Sequence, residues 1–166
     1  STVIGSSSSL TVTPSTTTSY IVTGTGANGC ANKDTITVNV NAAPIANAGN
    51  NQSICSTGSI TLGTLSTTGY TYSWSPGIGL SSTTVSNPSL TLSNGTGTPD
   101  TSVYTVVTTN QFGCTASDNV TIITNPVPNA IAGNDVIFCS GQNSLLGGSS
   151  VPGYAYLWNP SSGLLG

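Results

Sequence analysis

The chain has 166 residues, about a third of them Ser or Thr, and only 3% are charged: Lys33 against Asp34, Asp100, Asp118 and Asp135, for a net charge of −3. One lysine cannot supply the cationic footprint that nucleic acid or an anionic lipid surface requires. No apolar run approaches the roughly 20 residues of a membrane-spanning helix, so neither nucleic-acid binding nor membrane insertion is expected.

Taken in chain order, the first organised block is "SYIVTGTGANGCANKDTITVNV" (19–40). It returns as "VYTVVTTNQFGCTASDNVTIIT" (103–124), 84 positions later, with Tyr20, Cys30 and Asp34 falling on Tyr104, Cys114 and Asp118. The next block, "ANAGNNQSIC" (46–55), returns as "AIAGNDVIFC" (130–139). At the same offset Gly63, Tyr70, Tyr72, Trp74 and Pro76 fall on Gly147, Tyr154, Tyr156, Trp158 and Pro160. Nearer the start the offset shrinks to about 80, because "NGTG" (94–97) is an insertion in the middle copy. The order is therefore the back half of a unit (1–43), one whole unit (44–127) and the front half of another (128–166). The register closes as well: Gly166 matches Ser82, and Ser1 falls near Thr83. Two readings of this phase stay open. The segment is part of a longer tandem array, or each chain's front half is completed by the next chain's back half through strand complementation. Either way a half-unit alone exposes unpaired strand edges.

Within the whole unit, strand-like blocks bounded by Gly, Pro and Asn predict strands near 45–48, 52–55, 59–63, 70–75, 83–92 (as one strand or two), 101–109 and 117–125. No segment has a helical period. "YTYSW" places Tyr70, Tyr72 and Trp74 on one strand face. With so few other large residues per unit, that face is expected to be core. Tyr72, Trp74 and Tyr104 are the expected packing residues, with Trp158 in the same role in the next copy. An aromatic platform for carbohydrate is the alternative. Seven short strands around one tryptophan predict an all-β fold of tandem immunoglobulin-like sandwiches, about 84 residues each.

Each whole unit has one front-half and one back-half cysteine, so Cys55 is expected to pair with Cys114. Cys30 and Cys139 then pair with neighbouring repeats or chains. Such a bridge closes a loop of about 60 residues, contributes roughly 4 kcal/mol in the chain-entropy picture, and implies an oxidising, extracellular setting.

Catalytic and metal chemistry are poorly supplied. No His is present, and the only Lys belongs to a partial unit, so a serine nucleophile lacks a base. The carboxylates are too scattered for a glycosidase pair, and there is no CxxC or His cluster for a metal. Lys33 corresponds to Ser117, which speaks against a repeated isopeptide link. "NQS" (51–53), "NGT" (94–96) and "NVT" (119–121) fit the N-glycosylation pattern, at a frequency that chance explains in so Ser/Thr-rich a chain. No enzymatic activity and no cofactor are expected.

The blocks "AGN…IC", "YxWxPxxGL" and "YxVxxT…GC" together resemble the PKD-like and Ig-like repeats of giant cell-surface adhesins of Bacteroidetes, including gliding-motility adhesins of the SprB type. The resemblance implies type IX secretion, a place on the cell surface, and a role in extracellular filaments or stalks for adhesion, gliding or matrix. It also implies O-glycosylation at Thr35 within "DTI" (34–36). The functions in view are a structural repeat region of such a filament, a filament subunit joined head-to-tail by strand complementation, and a carbohydrate-binding module of an exported enzyme. The expected partners are neighbouring repeats or identical chains, and surface glycans.

Overall fold

The computed structural model describes residues 7–164. The two positions at which the repeat register closes, Ser1 and Gly166, lie outside the described residues. These form eight strands and, among the described residues, no helix: β1 (Thr18–Thr25), β2 (Ala31–Val38), β3 (Gln52–Cys55), β4 (Ser59–Thr61), β5 (Thr71–Ser75), β6 (Ser89–Thr91), β7 (Asp100–Thr109) and β8 (Thr115–Asn125). The fold is all-β. Among the described residues no helix is long and apolar enough to cross a membrane.

The backbone of the central unit is the hairpin β7–β8, antiparallel from Asp100 opposite Thr124 to Thr109 opposite Thr115. Both strands alternate in burial as the pleat requires. Tyr104, Val106 and Thr108 on β7, and Val120, Ile122 and Thr124 on β8, point inward and are buried. On the outward face Val107 and Ile123 are exposed. The front half of the unit adds a strand to each side of this hairpin. β5 pairs antiparallel with β7, and β3 pairs parallel with β8, giving the order β3-β8-β7-β5. A second small sheet, β4 with β6, supplies Leu90 and, just beyond β4, Leu62. The core joins both sheets: Ile54, Leu62, Trp74, Leu90, Tyr104, Val106, Val120 and Ile122 form one buried cluster, against which Tyr72 packs.

Two aromatic side chains lock this core through their polar ends. The Trp74 indole N–H donates to the Val85 carbonyl at 2.9 Å, and the Tyr104 hydroxyl donates to the Ile78 carbonyl at 2.7 Å. Buried aromatics need such partners for their polar atoms. Burial pushes the Tyr104 hydroxyl above its ordinary pKa, so it holds its proton and the donated bond. Gly63 makes room for Trp74. A Cβ there would collide with the Ser86 carbonyl and lie 3.0 Å from the indole, and the backbone sits at φ 69°. Gly63→Ala is therefore expected to destabilise the central unit by more than about 1 kcal/mol through steric and left-handed strain, read as a lower urea midpoint.

Two expected strands are absent. Residues 45–48 are irregular because their hydrogen bonding goes elsewhere. The Ala48 N–H donates to Asp118 Oδ2 at 2.8 Å, and its carbonyl accepts from the Gly63 N–H at 2.9 Å. Residues 83–88 are bent rather than extended; the carbonyls of Thr83 and Val85 serve the backbone and side-chain N–H of Trp74. Only Ser89–Thr91 of the 83–92 block forms a strand.

Candidate functional site

The two flanking segments contain the chemistry that is unfinished. β1 and β2 form a hairpin in which Thr18 lies opposite Val38 and Thr25 opposite Ala31. By the repeat it is the counterpart of β7–β8, but among the described residues both its edges are unpaired and no third strand joins it. Residues that would occupy the core of a whole unit are consequently open. Val22 and Ile36 are 60% and 67% exposed, whereas their counterparts Val106 and Val120 are 1% and 0% exposed. Leu10, the counterpart of Leu90, is also exposed.

The segment 128–164 is the reciprocal case. Its sequence copies the stretch that forms β3, β4 and β5, yet it contains no strand among its described residues. A strand needs a partner to accept its backbone bonds, and the hairpin that fills this role in the central unit is missing beside it. Local contacts that need no hairpin are already made. The Gly147 N–H donates to the Ala132 carbonyl at 2.8 Å, matching Gly63 to Ala48 at 2.9 Å. The Val151 N–H donates to the Tyr156 hydroxyl at 3.0 Å, matching Thr67 to Tyr72 at 2.9 Å. The expectation that Trp158 is a core residue is corrected: it is 38% exposed against 3% for Trp74, because the strand pair that buries Trp74 has no equivalent next to it. Phe138, in the place of buried Ile54, and Leu146, in the place of buried Leu62, are likewise exposed. Trp158, Tyr156, Leu146 and Ile131 line an open groove of about 340 Å³.

The polar stitches show the same incompleteness. In the central unit Asp118 on β8 accepts the Ala48 N–H, and Asn51 Oδ1 accepts the Thr121 N–H at 2.8 Å. Both join the front half to the back half. Asp34, the counterpart of Asp118, accepts among the described residues the adjacent Thr35 N–H alone, at 2.8 Å. By the repeat, Ala132 corresponds to its long-range partner Ala48, while Asp135 corresponds to Asn51 and Thr37 to Thr121. Among the described residues no hydrogen bond joins 7–43 to 128–164.

The expected Cys55–Cys114 bridge is corrected. All four cysteines are free thiols. Cys55 ends β3 opposite Asn125, the last residue of β8, while Cys114 immediately precedes that strand. An 11-residue strand separates them, roughly 35 Å at about 3.4 Å per residue, whereas a disulfide needs Cα atoms within about 7 Å. The parallel pairing of β3 with β8 is what sends the two thiols to opposite ends. The same geometry rules out Cys30 with Cys139 inside one completed unit.

Other expected sites are placed as follows. Trp74 and Tyr104 are buried, and Tyr70 and Tyr72 are half-buried, the Tyr72 hydroxyl engaged by the Thr67 N–H. Thr35 is exposed on β2, and its counterpart Asn119 is exposed on the outer face of β8, so a modification there stays outside a completed unit. Among the described residues no cluster of His, Cys, Asp or Glu could hold a metal ion. No family model matches the chain, and no curated protein matches it either.

Proposed function

We propose that the chain is a structural, non-catalytic segment of an extracellular fibre or stalk made of immunoglobulin-like sandwich units in series. In such a series each front half, as in 128–164, is completed by a back half of the β1–β2 kind. The observation that carries this reading is reciprocal exposure on a common template. Val106, Val120, Ile54 and Trp74, buried where β7–β8 meets β3 and β5, have counterparts left open in the half-units: Val22, Ile36, Phe138 and Trp158. Burying such apolar surface is worth roughly 25 cal/mol per Å², and the paired strands satisfy their backbone groups at the same time. Tension along the chain then passes through interstrand hydrogen bonds from one unit to the next. With 3% charged residues the surface carries almost no field, so hydroxyls, amides and surface glycans keep the fibre hydrated. The cell-surface location and the adhesive role come from the sequence resemblance and remain part of the proposal.

Electron microscopy of the concentrated full chain tests this. A beaded fibre is expected, with a bead spacing of roughly 40 Å, the length of an 11-residue β8 at about 3.4 Å per residue plus a short link. Isolated particles at every concentration would overturn it.

A further inference from the structure

We propose that the two kinds of cysteine form disulfides between consecutive units, the front-half cysteine of one unit with the back-half cysteine of the next. This rests on the serial-unit reading above.

The geometry assigns each thiol to a pole. Cys55 lies opposite Asn125, where β8 leaves the central unit toward the next. Cys114 lies in the turn at the other pole, and its thiol donates to the Asn41 carbonyl at 3.9 Å. The same turn grips the incoming chain through Asn110, whose side-chain amide donates to the Ala42 carbonyl at 2.9 Å. Asn41 and Asn125 are equivalent positions, 84 residues apart. One asparagine per unit thus has a front-half cysteine beside it from its own unit and a back-half cysteine against it from the following unit. Paired strands run about 4.8 Å apart, so a front-half cysteine stands that far from the asparagine that the other thiol touches. The two cysteines therefore border the same asparagine, one through its backbone pairing and the other through its thiol.

For two copies joined through their half-units the pairs are specific. Cys55 of one copy meets Cys30 of the next, and Cys139 of one copy meets Cys114 of the next. Neither pair lies within one chain, which accords with four free thiols in it. The oxidant is a small-molecule disulfide such as oxidised glutathione. Two protein thiols become one S–S bond, the donor's S–S bond is reduced, and its two sulfurs leave as thiols carrying the two protons. The staple ties the exit of one unit to the entry of the next, so pulling on the fibre cannot separate poles that the linker alone would hold.

The test starts from the full chain assembled under reducing conditions, its size read by sedimentation. A glutathione redox buffer is then added, and the products are examined on non-reducing gels and by peptide mass mapping. The expected result is a covalent ladder whose cross-linked peptides are Cys55–Cys30 and Cys139–Cys114. In the double variant Cys55→Ser with Cys114→Ser, which leaves no pair, the ladder is lost while the reduced assembly is unchanged. Cross-links joining Cys55 to Cys114 or Cys30 to Cys139, or thiols that stay free in an assembled sample, would overturn the staple while leaving the serial reading standing. A chain that stays monomeric under reducing conditions would overturn both.

Discussion

A chain carrying Ile36→Asp is expected to remain monomeric at concentrations where the unaltered chain assembles, with its central unit as stable as before. Ile36 is 67% exposed in the open hairpin, so the substitution removes little from the chain's own fold. Its counterpart Val120 is fully buried at the centre of the complete unit. On assembly the new carboxylate enters that apolar environment, where no cation waits for it and ionised groups are strongly disfavoured. A rise of at least a hundredfold in the dissociation constant, about 2.8 kcal/mol, is the expected reading in sedimentation velocity. Ile36→Val, which restores the residue found in the central unit, is expected to assemble normally. Normal assembly of Ile36→Asp would show that this face of the hairpin stays in water.

The second large effect contrasts the two tryptophans. Trp74→Ala removes the largest side chain of the closed core together with its bond to the Val85 carbonyl. Aromatic truncations of this kind cost roughly 3–5 kcal/mol. A domain of this size has a total stability of about 5–15 kcal/mol, so the central unit should unfold at a much lower urea concentration or fail to fold. Trp158→Ala changes the same residue of the repeat in an open setting, at 38% exposure. Its expected effect on the stability of the central unit is below about 0.5 kcal/mol, while assembly is weakened strongly. Circular dichroism against urea reads the first quantity, and sedimentation reads the second. Equal destabilisation by both substitutions would mean that Trp158 already belongs to a closed core.

Much of this was legible from residues alone, and the failures share one cause. The repeat, the all-β character and the strands expected around 52–55, 70–75, 101–109 and 117–125 follow from spacing and local pattern. Burial of Trp74 and Tyr104 follows from how few large residues each unit has. What failed depends on partners distant in sequence. Cys55 and Cys114 look like natural mates in a list with one of each kind per unit, but the parallel pairing of β3 with β8 separates them by a strand's length. Nothing in the local sequence announces that direction, since parallel pairing joins segments far apart in the chain. Trp158 has the same flanking residues as Trp74, and its exposure is set by the absence of a hairpin beside it. Residues 83–85 read as β-formers, yet the two N–H groups of Trp74 claim their carbonyls and hold the segment bent.

Hydrogen exchange of the full chain, followed by mass spectrometry across a dilution series, tests the complementarity of the two half-units most directly. The amides of β7 and β8 should be protected at every concentration. The amides on the outer edges of β1 and β2, which are not bonded across the hairpin, and those of the stretch 136–158 should be open in dilute samples and become protected together, at one common concentration. Protection of either half-unit without the other, or exchange in both that ignores concentration, would contradict it.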